Sequence, residues 1–165
     1  ALNCDGPVYL RLNKNCPSVP TKYALSTVER GKFGLIKSGT DAAIFASGLC
    51  VQEAIEAAEN LEHDGLSVAV VNASSIKPLD IQMIKEMAAR THCIITAENH
   101  SIIGGLGSAI SEVLAETGLH VKFKRIGLND CFAEGGSRDY LFDKYGLGAR
   151  HIMQAVHALK REHNG

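Results

Sequence analysis

One stretch of the chain concentrates groups able to do chemistry: Glu98-Asn99-His100-Ser101-Ile102-Ile103-Gly104-Gly105-Leu106-Gly107-Ser108. A carboxylate and an imidazole two residues apart, Glu98 and His100, are the raw material of acid–base catalysis. No second carboxylate or nucleophile lies beside them in sequence, so neither a triad nor a dyad is completed. The glycines offer a different capability. Where such a segment leaves a strand and enters a helix, the backbone N–H groups around Gly104, Gly105, Gly107 and Ser108 and the helix dipole favour an anion. Gly105-Leu106-Gly107 begins like GxGxxG, but Ile110 stands in the third glycine's place. Six residues, 99–104, also separate the glycines from Ala97-Glu98, whereas a dinucleotide fingerprint turns straight from strand to glycine. Close helix–strand packing is the better account of these glycines, and a polar loop at a strand end also serves as a subunit contact.

Other reactive residues are dispersed. Cys4, Cys16, Cys50, Cys93 and Cys131 are odd in number and contain no CxxC pair, which argues against a disulfide framework or a zinc site. Cys93 sits in an apolar run and Cys50 in a helical stretch, and both read as small hydrophobes. No HxH or HExxH spacing occurs among the histidines. His151 and His157 fall in the last helix, where a partly exposed structural role is expected. After the last strand, Asp130 to Ser137 form a polar loop in which Ser137 reads as a helix N-cap.

The elements that must position these groups follow from periodicity. FGLIKS (33–38) is a short strand, AAIFAS (42–47) a continuous apolar run suited to a strand buried on both faces, and 66–74 another strand. Residues 49–63 keep Val51, Ala54, Ile55, Ala58 and Leu61 at helical spacing, and Gly65 supplies a stop. Pro78 and Asp80 open a second helix with Ile81, Ile84 and Met87 on one face. HCIITAE (92–98) is a strand, NHSIIGG a loop, 106–116 a helix and 121–127 a strand. Helices over 137–146 and from 149 onward finish the chain. Strands alternating with helices predict a parallel sheet covered on both faces, a three-layer α/β/α domain.

The first thirty residues differ. VYLRL (8–12) alternates like a strand and is followed by a proline-containing linker, but it has no partner strands. The chain also opens on Ala1 rather than Met, as expected of a fragment. With 165 residues, 17 Lys plus Arg and 18 Asp plus Glu, the net charge is −1 and no basic stripe appears. That balance excludes a nucleic-acid binder held by phosphate contacts. No apolar run approaches the roughly 20 residues of a membrane span, and no signal peptide is visible. A reduced, cytoplasmic setting is expected.

Two strings in order carry a family resemblance: Ile76-Lys77-Pro78-Leu79-Asp80, then Thr96 to Ser108, with matching spacing onward to Tyr145-Gly146-Leu147. The chain resembles the C-terminal domain of transketolases, and Asp5 to Lys14 resembles the last strand of that family's pyrimidine-binding domain. The resemblance implies residues 1–20 as that upstream strand, 21–32 as linker and 33–165 as the C-terminal domain. It implies a five-stranded, mostly parallel sheet whose first strand, near 33–37, runs antiparallel. It also implies an enzyme that moves a two-carbon ketol unit between sugar phosphates with thiamine diphosphate and Mg²⁺. The family's GDG…N cofactor motif cannot be placed, since the only Asp-Gly pairs are Asp5-Gly6 and Asp64-Gly65. The cofactor-binding region is therefore expected N-terminal to Ala1 or on another subunit. This chain would carry no catalytic residue, bind no cofactor or metal itself, be inactive alone, and support a homodimer of the complete enzyme.

One substrate contact follows from the resemblance. Lys14 takes the place of a family arginine that binds the sugar's terminal phosphate, keeping the charge but losing the bidentate fork; a solvated linker lysine is the base-rate alternative. Sister enzymes share the architecture: 1-deoxyxylulose-5-phosphate synthase, which typically has YPRG where this chain has Leu12-Asn13-Lys14-Asn15, and the 2-oxoacid dehydrogenase β subunit. A non-enzymatic module sensing a small anion at the glycine-rich loop is the alternative from another class.

Overall fold

The structure, a computed structural model, describes residues 5–10, 23 and 29–161. Five strands and five helices follow one another: β1 Gly34–Lys37, β2 Ala42–Ala46, α1 Cys50–His63, β3 Val68–Asn72, α2 Ile81–Thr91, β4 Cys93–Ser101, α3 Leu106–Thr117, β5 Lys122–Leu128, α4 Arg138–Lys144 and α5 Ala149–Arg161. The strand order is β1-β3-β2-β4-β5. β1 pairs antiparallel with β3, and every other neighbour is parallel. The expected three-layer α/β/α fold with a mostly parallel sheet is therefore the fold observed, including the direction of the first strand.

Alternation along the central strands divides two cores. From β2, Ala42, Ile44 and Ala46 enter the layer shared with α1 and α5. Ala43 and Phe45 enter the layer shared with α2 and α3. All five β2 residues are buried, which is why the strand reads as an uninterrupted apolar run. Fully burying a side chain such as Ile44 or Phe45 contributes about 1.5–3 kcal/mol of transfer free energy. The helical spacing expected in α1 is met, with Val51, Ala54, Ile55, Ala58 and Leu61 all buried.

Side-chain oxygens fix where helices begin. Asp80 caps α2 by accepting from Met83 N at 3.2 Å, and its second oxygen accepts from Phe33 N at 3.0 Å. One carboxylate thus starts a helix and holds the approach to β1. Ser137 caps α4 through Tyr140 N at 3.3 Å, as its sequence position predicts. Gly118, at φ +64°, closes α3 in the left-handed region that favours glycine.

One expectation needs correction. β4 does not end at residue 98 but runs to Ser101, so the expected loop over residues 99–105 shrinks to its second half. The physical reason is an irregularity against β5: β4 advances from Ala97 to Ser101 while β5 advances only from Ile126 to Leu128. The described part of the strand expected at 8–12, Val8–Leu10, is exposed and pairs with no other strand among the described residues. The remainder of that strand, Lys14 and residues 21, 22 and 24–28 of the expected linker lie outside the described residues.

Candidate functional site

The crossover from β2 through α1 leads to β3 on one side, and the crossover from β4 through α3 leads to β5 on the other. Connections at the carboxyl ends of β2 and β4 therefore diverge, which is where open parallel sheets collect ligands. Here the two ends are tied together. Ser47 N donates to Ala97 O at 3.0 Å, and a Cβ at Gly48 would stand 3.3 Å from Asn99 Oδ1.

Glu98 is the centre of this region. Its side chain turns under the first turn of α3 and is only 2% exposed. Oε2 accepts from Leu106 N and Oε1 from Gly107 N, both at 2.8 Å. The helix N-terminus therefore holds an anion, and that anion is the chain's own carboxylate. Gly105 makes the approach possible, because a Cβ there would sit 2.0 Å from Glu98 Oε2. At Gly107 a Cβ would meet the Arg125 side chain and Thr96 Oγ1, each at 2.8 Å. These two glycines serve close packing, as the broken GxGxxG spacing predicts.

The other loop residues bond among themselves. Gly104, at φ +74°, donates through its N–H to Ser108 Oγ at 2.9 Å, and that hydroxyl donates to Ile102 O at 3.0 Å. Arg125 Nη1 reaches the same Ile102 carbonyl at 2.9 Å. His100 stays exposed, with Nδ1 2.9 Å from Ser101 O. Glu98 and His100 are thus not brought together as an acid–base pair: one is committed to buried amides and the other faces outward.

Two further carboxylates organise the same side of the molecule, and neither stood out in the sequence. Glu53 on α1 pairs with Arg138 of α4 through Oε1 and accepts from Ala149 N, the start of α5, through Oε2 at 3.0 Å. In the loop after β5, Glu134 accepts from Tyr140 Oη at 2.9 Å and also bonds Lys144 and Tyr145. The bonds from Lys144 and then Tyr145 hold the Glu134 carboxyl at about 2, well below its ordinary 4.5. This cluster steadies a loop from which Phe132 projects fully, at 104% relative exposure, and Ile103 in the β4–α3 connection is 61% exposed.

Among the described residues, no group of three or more His, Cys, Asp or Glu could hold an ion. Cys50 and Cys93 are buried and Cys131 is exposed, all as free thiols. No helix among the described residues is long and apolar enough to cross a membrane.

Known proteins resemble this chain. Residues 31–152 match the family described as transketolase, C-terminal domain. The chain is 41% identical over 160 residues to the 6-deoxy-6-sulfo-D-fructose transketolase subunit of Clostridium sp. (strain MSTE9), covering 97% of this chain and 49% of that protein. It is 39% identical over 160 residues to 1-deoxy-D-xylulose-5-phosphate synthase 1 of Geobacter sulfurreducens, covering 96% of this chain and 25% of that protein. Among solved structures, a split-gene transketolase described as an inactive β4 tetramer superposes with TM-score 0.79 at 39% identity, over 86% of this chain and 46% of that one. The chain thus spans between a quarter and a half of the relatives it matches. The matched span contains all five strands and the Glu98–Gly105–Gly107 packing that joins β4 to α3, and the chain belongs to the transketolase C-terminal domain family.

Proposed function

We propose that this chain is the C-terminal section of a split transketolase-type enzyme, working in the cytoplasm with a partner section that carries the thiamine diphosphate and Mg²⁺ sites. The observation that carries this reading is the pair of half-length matches: a transketolase subunit at 41% identity and a split-gene transketolase structure at 39%. The described residues do not fit the cofactor. The glycine-rich helix start already holds Glu98, and no acidic or histidine cluster offers a place for the metal. Family enzymes draw their carbanion chemistry from thiamine diphosphate, and this chain's part is to hold the partner section and its own copies in place.

The carboxyl edge of the sheet is the contact face of that assembly. It presents Ile103 and Phe132 on connections stiffened by the Ser108 and Glu134 hydrogen bonds, and aromatic side chains such as Phe132 dominate interface energetics. Co-expression of the chain with its partner section, followed by sedimentation and a ketol-transfer assay, tests the reading. A complex active only when both sections are present supports it. Turnover of ketose phosphates by this chain alone overturns it.

A second reading concerns the substrate. The Clostridium relative is named for a sulfo-sugar, and Lys14 stands where a phosphate-binding arginine is expected. A sulfonate carries a single charge and needs no bidentate fork, so a lysine point charge suits it. The reconstituted complex, offered fructose 6-phosphate and 6-deoxy-6-sulfofructose as donors, distinguishes the two by their kcat/KM ratio. Lys14→Arg is expected to shift that ratio toward the phosphate.

A further inference from the structure

The opposite edge of the sheet holds an open cleft of about 600 Å³, at the amino ends of β4 and β5 and the carboxyl ends of α2 and α5. Its size lies within the range of small-molecule sites. Arg90, His92, His120, Lys122, Lys160 and Asp41 line it, with Val121, Leu159 and Cys93 adding apolar surface. We propose that this cleft binds a small phosphate monoester with a compact apolar body, a reading independent of the function proposed above.

The charge balance carries the assignment. Asp41 is the only carboxylate on the wall among the described residues, and Lys160 neutralises it at 3.0 Å. Lys122 Nζ donates to Leu159 O at 2.7 Å, a neutral acceptor, so among the described residues its charge is uncompensated and two of its three protons remain to be offered. Arg90 is exposed at the end of α2 and has no hydrogen-bond or ion-pair partner among the described residues. Arg90 and Lys122 therefore leave two positive charges facing the cleft, with His92 and His120 beside them as imidazoles able to donate.

Helix carboxyl ends attract cations by themselves, and that effect accounts for part of the pattern. Half a charge at each of two helix ends offsets about one of the surplus cations, and it is screened within the last turn. The remaining guanidinium presents a planar fork suited to two phosphate oxygens. A monoatomic anion would leave most of the cleft unfilled. The apolar wall formed by Val121 and Leu159 is matched instead by a ligand with a ring or short chain attached to its phosphate.

Calorimetric titration of the whole chain with phenyl phosphate, inorganic phosphate and benzoate tests the proposal. Phenyl phosphate is expected to saturate and to bind more tightly than either of the others, since only it combines the dianion with the ring. Arg90→Glu and His120→Glu, both at exposed positions, are each expected to weaken it about tenfold or more, with unchanged circular dichroism. Arg90→Gln, a milder change, is expected to fall between them and the parent chain. Ser108→Ala, at the far edge, is expected to leave affinity unchanged. The proposal is overturned by an absence of saturable binding up to about 10 mM, by affinity that survives Arg90→Glu, by benzoate binding as tightly as phenyl phosphate, or by loss of binding in Ser108→Ala.

Discussion

Replacing Glu98 by alanine removes the acceptor for two buried amides at once. Each bond is 2.8 Å long and has a charged partner, and Glu98 is almost wholly shielded from water. Hydrogen bonds to charged groups contribute about 1.5–3 kcal/mol each, so Glu98→Ala is expected to destabilise the fold by about 3–6 kcal/mol. Gly105→Ala attacks the same contact from the other side. Gly105 sits at φ −97°, where alanine is unstrained, so any cost is steric. The new Cβ would lie 2.0 Å from Oε2 and force the carboxylate off its amides, for about 2–4 kcal/mol. In the double variant the carboxylate is already gone, and the close contact left is Ser101 O at 2.9 Å. The two losses are then expected to overlap by about 2 kcal/mol. Urea unfolding followed by circular dichroism reads this directly: with a slope near 2 kcal/mol per molar, a loss of 4 kcal/mol moves the midpoint by about 2 M. Costs that add within about 0.5 kcal/mol would refute the geometry.

Other consequences are more local. Burial pushes the Cys50 thiol up to about 12 and raises that of Cys93, so labelling at pH 8 with peptide mapping is expected to modify Cys131 and spare the other two. The Glu134 carboxyl is lowered in the folded chain, so its hold on the β5–α4 loop is complete above its ordinary 4.5 and is lost as pH falls through about 2. Carbon-detected titration of its side chain should show that midpoint, and Glu134→Gln should make the loop an early site of proteolysis at neutral pH. Glu53→Ala removes the acceptor shared by Arg138 and Ala149 N and is expected to cost about 2–3 kcal/mol, read as a lowered Tm, with α5 amides exchanging first. Phe132→Ser should change stability by less than about 0.5 kcal/mol yet reduce association with copies or with the partner section in sedimentation.

Much of the fold was legible because its signals are local. β2 is buried on both faces and reads as a continuous apolar run, and α1 shows its buried face at helical spacing. Ser137 stands alone before a polar helix start and does cap it. The end of β4 was not legible, because a shift in pairing with β5 depends on a strand more than twenty residues away. The role of Glu98 was half legible. Its residue type and position invited an acid–base reading, while its use as an internal cap depends on the missing side chain of Gly105, seven residues on. Glu53 carried no signal at all, since its partners Arg138 and Ala149 lie 85 and 96 residues downstream. Polar pairs at that separation are set by how the layers stack, which periodicity does not encode.

The two outermost strands bear on how copies of this chain meet. β1 has four residues and loses register between Leu35 and Lys37, and β5 carries Lys122, Lys124 and Arg125 along its length. Each outer rim thus discourages a foreign strand from zippering on, one by brevity and irregularity and the other by clustered charge. A free copy is consequently steered away from fibrous stacking. Its productive encounters must run through loops and helix faces, where shape decides the fit.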